Sequence, residues 1–256
     1  MKSVRQAQIN KLVDDREAVT VGELGRLLDV SEATIRRDLD SLALDGVIVR
    51  THGGAIKATT LGREQPLLER HSLMAEAKRA IATSAAGMVM SGDTIFLGTG
   101  TTVALMAAHI SNIDHLTVIS NSLPVIDALS GVVGIDLITI GGAFRRSELS
   151  MVGLKAVEAI RGYRADRVFM GIRAINVMEG FTGDAIDEAM TDRAILEIGA
   201  QSIVLADHTK FGGVSTVYLA PLDAVDLVIT DTGIDQETAG AVVEAGVHLI
   251  IAGGES

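Results

Sequence analysis

The chain has 256 residues, 48% of them hydrophobic, which allows a head of some 57 residues and one larger domain of about 185. It has no cysteine, so a disulfide framework and a thiol nucleophile are excluded, and no apolar run is long enough to cross a bilayer. The net charge of −11 argues against an indiscriminate nucleic-acid binder, so the placement of the charges matters.

Residues 1–58 hold nine Lys/Arg and nine Asp/Glu, whereas the remainder carries 13 basic against 24 acidic groups and hence the whole net charge. A neutral head with local arginines beside an acidic body suits DNA binding with little nonspecific attraction, for which a dimer with two heads would compensate through avidity. Residues 1–6 lack the hydrophobic stretch of a signal peptide, and a cytoplasmic protein with no membrane partner is expected. With no tryptophan and seven aromatics in all, the core must be mostly Val, Ile, Leu, Ala and Met.

In chain order, Ile9, Leu12 and Val13 give the apolar side of a first short helix. Thr20 and Glu23 have the spacing of a capping box, opening a second helix with Leu24, Leu27 and Leu28 inward. Asp29 and Val30 make a short turn, and Ser31 is placed to cap a third helix whose Ile35, Leu39 and Leu42 form the buried stripe. The opposite surface carries Ala33, Arg37 and Asp40, flanked by Thr34 and Arg36; arginines and a threonine in the first turns suit phosphate and base-edge contacts. After Gly46, residues 47–51 read as a strand, His52-Gly53-Gly54 as a turn and Ala55–Lys57 as the returning strand, with Arg50, His52 and Lys57 at the wing. The whole reads as a winged helix-turn-helix over residues 1–57 that takes double-stranded DNA through Ser31, Thr34, Arg36, Arg37, Arg50 and His52; the competing reading is a three-helix protein-docking domain with solvated arginines.

Residues 58–72, with Gly62 and Pro66, break the periodicity and are expected to be a linker to a domain over 73–256. There, helix-like stretches near 74–89, 101–111, 122–130, 153–161, 185–199 and 235–245 alternate with strand-like runs at 94–97, 116–119, 136–140, 167–170, 202–205, 227–229 and 248–251. Such alternation predicts an α/β domain with a parallel sheet covered by helices. Polar and glycine-rich clusters follow the strands: Gly98–Thr102, Ser120-Asn121-Ser122, Gly141-Gly142 with Arg145 and Arg146, Gly171 with Arg173, and Asp207–Lys210. In open parallel sheets ligands bind outside the carboxyl ends of strands, so one pocket can collect these loops.

The glycine-threonine loop lets backbone approach an anion, and a helix starting near Thr101 would aim free N–H groups at it. A phosphate is the natural occupant, with Lys210 and Arg145 or Arg146 as countercharge; the alternative is a tight turn that needs its glycines only for conformation. It is neither a P-loop nor a dinucleotide fingerprint, since Val103 stands at the third glycine position. The six histidines lack metal-ligand spacing, and no metal or cofactor is expected. Met88, Met90, Met170 and Met190 read as core; Asp184, Asp187 and Glu188 can meet sugar hydroxyls or act as bases, the competing reading being a helix-start cluster stabilised by the dipole with no further role.

Val30-Ser31, Thr34–Leu39, Leu42, Gly46 and Arg50-x-His52-Gly53-Gly54-Ala55 together resemble the head of the DeoR/GlpR family of bacterial transcription regulators. Arg70, Lys78, Gly92–Ile95, Gly100-Thr101-Thr102, Asn121-Ser122, Gly141-Gly142, Gly153, Asp166, Phe169-x-Gly171 and Asp207-x-x-Lys210-Phe211-Gly212 resemble its effector domain. The resemblance implies a sensor domain similar in fold to ribose-5-phosphate isomerase that binds a phosphorylated sugar or related metabolite, in a homodimeric or homotetrameric repressor. Where many relatives have an aspartate before the glycine-threonine turn, this chain has Gly98-Thr99.

Two functions from different classes follow. One is a regulator of sugar or related carbon metabolism genes, with no enzyme activity, whose effector site comprises Thr99, Gly100, Thr101, Thr102, Asn121, Ser122, Gly141, Gly142, Arg145 and Lys210. The other is an aldose–ketose phosphate isomerase with an accessory head, which needs a base beside the sugar carbons. The region 165–171 offers only Asp166 for that role, and places it before the strand.

Overall fold

Helical spacing brings Ile9 and Val13 of α1 (Lys2–Arg16) against Ile35, Leu39 and Leu42 of α3 (Glu32–Leu44), and these five side chains, all at most 7% exposed, centre the core of the head. The computed structural model describes residues 2–16, 18–44, 48–51, 53–57 and 66–254 and divides the chain into two units, residues 1–65 and 66–256. Between α1 and α3 lie β1 (Ala18–Thr20) and α2 (Val21–Leu28); β2 (Ile48–Arg50) and β3 (Gly54–Lys57) follow.

The capping box opens α2 as expected: the Glu23 N–H donates to Thr20 Oγ1 at 3.2 Å and the Thr20 N–H to the Glu23 carboxylate at 2.9 Å. Leu27 does not point inward but is 51% exposed. Val21, Leu24 and Leu28 fall within about 60° of arc on a helix turning about 100° per residue, and Leu27 lies outside it. Val21 and Leu24 are buried accordingly.

The wing is three-stranded, not a plain hairpin. β1 pairs antiparallel with β3, which pairs with β2, in the order β1-β3-β2. Gly54, expected in the turn, begins β3 opposite Thr20, where an added Cβ would lie 1.9 Å from the Val19 carbonyl oxygen. Close strand approach, not turn geometry, is what requires glycine there.

The second unit starts earlier than expected. Residues 66–72, assigned above to the linker, fold onto it: α4 (Leu67–Arg70) buries Leu67, whose N–H donates to Ser147 O at 2.7 Å. An apolar leucine with a matched backbone partner is held by the core, and a linker needs neither. Then come α5 (Ala75–Ala86), β4 (Thr94–Leu97), α6 (Thr101–His109), β5 (Leu116–Ser120), α7 (Leu123–Leu129) and β6 (Ile135–Thr139). A hairpin of β7 (Ala143–Arg145) and β8 (Ser150–Val152) leads to α8 (Leu154–Ile160) and β9 (Ala165–Gly171). β10 (Ala174–Asn176), β11 (Gly180–Gly183), α9 (Ile186–Ile198), β12 (Gly199–Leu205), β13 (Val217–Ala220), β14 (Leu227–Asp231), α10 (Gln236–Glu244) and β15 (His248–Ala252) complete it.

Seven parallel strands form one sheet in the order β15-β14-β12-β9-β4-β5-β6. One face packs on Ile81, Met106 and Val125 of α5, α6 and α7; the other packs on Ala156, Ile195 and Val242 of α8, α9 and α10. The chain runs outward from β4 through β5 to β6, then returns beside β4 as β9 and runs outward the other way. The direction therefore switches between β4 and β9, where open sheets hold ligands. β10, β11 and β13 form a small antiparallel sheet that the alternation of the main sheet does not announce. Met170 is core and Met88 packs at its edge, but Met90 and Met190 are exposed, because each falls outside the inward-facing register of its segment.

Gly54→Ala is expected to destabilise the head by about 1–3 kcal/mol, the usual range for overpacking. Hydrogen exchange should show lost protection in β1 and β3 with β4 and β9 unchanged; equal protection in the variant would contradict the close approach.

Candidate DNA-binding surface and effector site

Ser31 caps α3. Its Oγ accepts from the Thr34 N–H at 3.3 Å and lies 2.9 Å from Thr34 Oγ1, so both side chains are turned to the helix start. Arg36 and Arg37 are exposed, and Arg36 is partly occupied by a 3.2 Å pair with Glu32, one turn earlier. Such a pair at more than half exposure is a weak tether that a phosphate can displace. Arg50 closes β2 opposite Ala55, while His52 lies outside the described residues. Sequence reasoning missed Asp38, buried at 2%, which accepts from Arg5 Nε at 2.5 Å and raises the arginine's pKa chiefly through that bond. The pair ties α1 to the base of α3, and no local spacing reveals it.

In the sensor unit the glycine-threonine loop lies at the switch point. Gly100, at φ +114°, precedes α6. The Gly171 N–H, at the end of β9, donates to Thr99 O at 3.0 Å, and a Cβ on Gly171 would lie 2.8 Å from that oxygen. Thr99, Thr101 and Thr102 are all buried. The loop is therefore clamped between β4 and β9 with the free N–H groups of α6 at its end.

Cations gather on the β9–β12 side. Lys210 ends a one-turn helix, His208–Lys210, fixed by Asp207, which accepts from the Thr209 N–H at 3.1 Å, and by Asp231, which accepts from the His208 N–H at 2.8 Å. Burial pulls the Lys210 pKa down to about 8; Asp207 opposes this, while Arg70, Arg173 and Lys78 add to it. Lys78 on α5, 4% exposed, is likewise lowered by burial, against the pull of Asp207, and donates to Arg70 O at 2.7 Å. Arg173 pairs with Asp184 at 2.8 Å. Four cations thus share the surroundings of one buried carboxylate, Asp207.

The β5–β8 side is rich in acceptors. Asn121 is fully buried and donates to Met151 O at 3.0 Å, and its Oδ1, Ser122 Oγ and Ser150 Oγ are buried without hydrogen-bond partners among the described residues. The backbones of Ser122 and Ser150 face each other in an isolated antiparallel β-bridge. Arg145 lies 3.6 Å from Glu188 of α9, and Arg146 is exposed. Glu148 pairs with Arg70, and Asp192, 7% exposed, is pushed up to about 7 by burial, with Glu148 adding and Arg145 opposing. Sequence reasoning missed Glu148 and Asp192, which only the hairpin and α9 bring together.

Gly141 and Gly142 are exposed after β6, and Gly142 has a packing duty, since a Cβ there would lie 2.8 Å from Val152 O. Asp187 is exposed. Asp166 accepts from the Thr94 N–H at 2.8 Å at the amino ends of β9 and β4, opposite the edge that carries the loops. The carboxylate weighed for isomerase chemistry is therefore remote from the glycine-threonine loop. Among the described residues no three His, Asp or Glu side chains assemble as a metal site, and no helix is long and apolar enough to cross a membrane.

The model of the DeoR-like helix-turn-helix domain matches residues 5–60, and that of the DeoR C-terminal sensor domain matches residues 73–232. The transcriptional repressor AccR of Agrobacterium fabrum is 33% identical over 231 residues, covering 90% of this chain and 89% of that protein. The HTH-type transcriptional repressor GlcR of Bacillus subtilis is 32% identical, covering 96% and 95%. Ribose 5-phosphate isomerase A from Methanocaldococcus jannaschii matches at 19% identity over 54% of each chain with a TM-score of 0.40, a likeness too slight to bear on chemistry. With both domain models matched in order and relatives aligned almost end to end, the chain belongs to the DeoR family of transcription regulators.

Proposed function

We propose that this regulator is a cytoplasmic repressor of sugar or related carbon metabolism genes, acting as a homodimer or homotetramer, whose grip on operator DNA is controlled by a phosphorylated sugar. The observation that carries the reading is the gathering of Arg70, Lys78 and Arg173 about the buried Lys210, with Asp207 acting on both lysines, in the unit that holds the clamped Gly98–Thr102 loop. Burial works against the charged form of Lys210, and the neighbouring cations work against it further. The negative charge of a bound dianion would offset both effects, and the free N–H groups of α6 would add donors.

The effector's other end meets acceptors. Asn121 Oδ1, Ser122 Oγ and Ser150 Oγ lack partners, and Glu148 and Asp192 lie nearby, a set suited to donating hydroxyls of a sugar. Gly141, Gly142 and Arg145 border the site from the β7–β8 side. On the head, Ser31, Thr34, Arg36 and Arg37 form the surface assigned to the DNA groove, with Arg50 and His52 on the wing.

Arg37→Ala is expected to weaken operator binding by about 1–3 kcal/mol, the range for a lost arginine–base contact. The measurement is a titration of genomic fragments captured by the wild-type protein; unchanged affinity would sink the assignment of α3. Lys210→Gln should raise the dissociation constant for the effective sugar phosphate about ten-fold or more. In the wild type the free site loses the Lys210 charge above pH 8, so affinity should fall as pH rises through that value. A flat profile between pH 7 and 9 in calorimetry would exclude the lysine from the site.

Asp192 supplies a stability test. Unfolded, it ionises near the ordinary aspartate value; folded, it stays protonated up to about pH 7. Its contribution to stability is therefore full at acid pH and lost as pH rises through 7. Asp192→Asn removes this dependence and should raise Tm at pH 8 by about 2–4 °C for each kcal/mol recovered. The gain should shrink toward pH 5 in a thermal scan, and a gain independent of pH would contradict the assignment.

A further inference from the structure

The strap that opens the sensor unit is attached to the proposed effector site. The Leu67 N–H donates to Ser147 O at 2.7 Å and the Arg70 guanidinium pairs with Glu148; both partners lie in the turn after Arg145, between β7 and β8. On the other side the Lys78 ammonium holds the Arg70 carbonyl oxygen at 2.7 Å. Lys78 in turn shares Asp207 with Lys210. Going toward the amino terminus, the chain continues from this strap through residues 58–65 into the head.

We propose that Arg70 is the effector-responsive residue of the strap: an anion seated between Lys78 and Lys210 draws its guanidinium off Glu148 and frees the strap from the β7–β8 turn. The inference rests on the phosphorylated-sugar reading above. Arg70 is already within the field of both lysines, since it disfavours their charged forms. Its pair with Glu148 is nearly buried, with side chains 13% and 6% exposed, so a competing charge acts there with little screening by water. Glu148 offers the guanidinium one negative charge, and a phosphate monoester offers up to two, in a geometry its planar fork fits. The carboxylate left behind faces Asp192, which already holds a proton near neutrality and can share it. The one negative charge left on the pair is then steadied by the shared proton. Arg70 is a positioning residue of the strap.

The chain contains no tryptophan, and Leu68 on the strap is 71% exposed, so Leu68→Trp places a single indole on the moving part. The full chain carrying it is titrated with a pool of pentose and hexose monophosphates, and separately with inorganic phosphate, while Tm and indole emission are read. The expected result is a rise in Tm together with a saturable emission change. Adding Arg70→Lys, read against its own ligand-free baseline, should raise the half-saturating concentration for emission about ten-fold, because a lysine keeps the charge but not the fork. Adding Glu148→Gln should move the ligand-free emission toward its liganded value. A rise in Tm with unchanged emission overturns the strap proposal and leaves the effector site standing. No rise in Tm with either probe overturns the effector reading and this inference with it.

Discussion

The sensor unit gathers four cations, Arg70, Lys78, Arg173 and Lys210, with three carboxylates, Asp207, Glu148 and Asp184, so that its two lysines lack a direct carboxylate pair of their own among the described residues. Each ammonium taken from water loses hydration, and Asp207 offsets the charge of one cation but not of Lys78, Lys210, Arg70 and Arg173 together. Glu148 and Asp184 take up two of the remainder through direct pairs with Arg70 and Arg173. The two lysines are left sharing Asp207, and both are pulled toward neutrality. Such an arrangement persists because rigid elements hold it: Lys78 on α5, Lys210 on a turn pinned by two aspartates, and Arg173 directly after β9. An anion bound as proposed would find its donors already positioned, and little of its binding energy would go into ordering side chains.

The head follows a different electrostatic logic. Its charges balance, and Asp38 and Glu32 already engage Arg5 and Arg36, so diffuse attraction to a polyanion is small. The Arg5–Asp38 pair spends its charge on the angle between α1 and α3, not on DNA. In the homodimer or homotetramer proposed above, two heads on one duplex would multiply a modest affinity. Control of such a protein needs no change at the α3 surface itself. It is enough to change how freely two heads meet half-sites whose separation is set by the helical repeat of DNA.

Much of this was legible in the residues. The seven strands and six helices of the parallel sheet showed as alternating apolar periodicity, because a strand buried on both faces and its covering helix leave distinct patterns. The Thr20–Glu23 box and the Ser31 cap are local chemistry, and local chemistry is readable. What escaped depends on contacts far apart in the chain. β1 is three residues long and exists only because β3 returns to it; Gly54 looked like part of a turn for the same reason. The strap at 66–70 looked like linker because four helical residues carry no period, although Leu67 is buried. Within the site, Thr99–Thr102 and Lys210 follow strands and were visible. Glu148 and Asp192 become neighbours only when the β7–β8 hairpin meets α9.

These long-range contacts also bear on how a ligand signal travels. A ligand alters DNA binding only by the difference between its affinities for the two states of the protein, and each ten-fold difference is worth about 1.4 kcal/mol. In the proposed site the Gly98–Thr102 loop, held to β9 by the Gly171 N–H bond to Thr99 O, is suited to supply affinity. The differential part must come from a group that already has a partner to leave. Arg70 has Glu148, and its carbonyl oxygen has Lys78. Charge-assisted bonds of this kind contribute on the order of 1.5–3 kcal/mol each, so exchanging them is enough to shift operator occupancy by one to two decades. On the proposed reading, the rigid half of the site would set how tightly a sugar phosphate binds, and the strap half what that binding does.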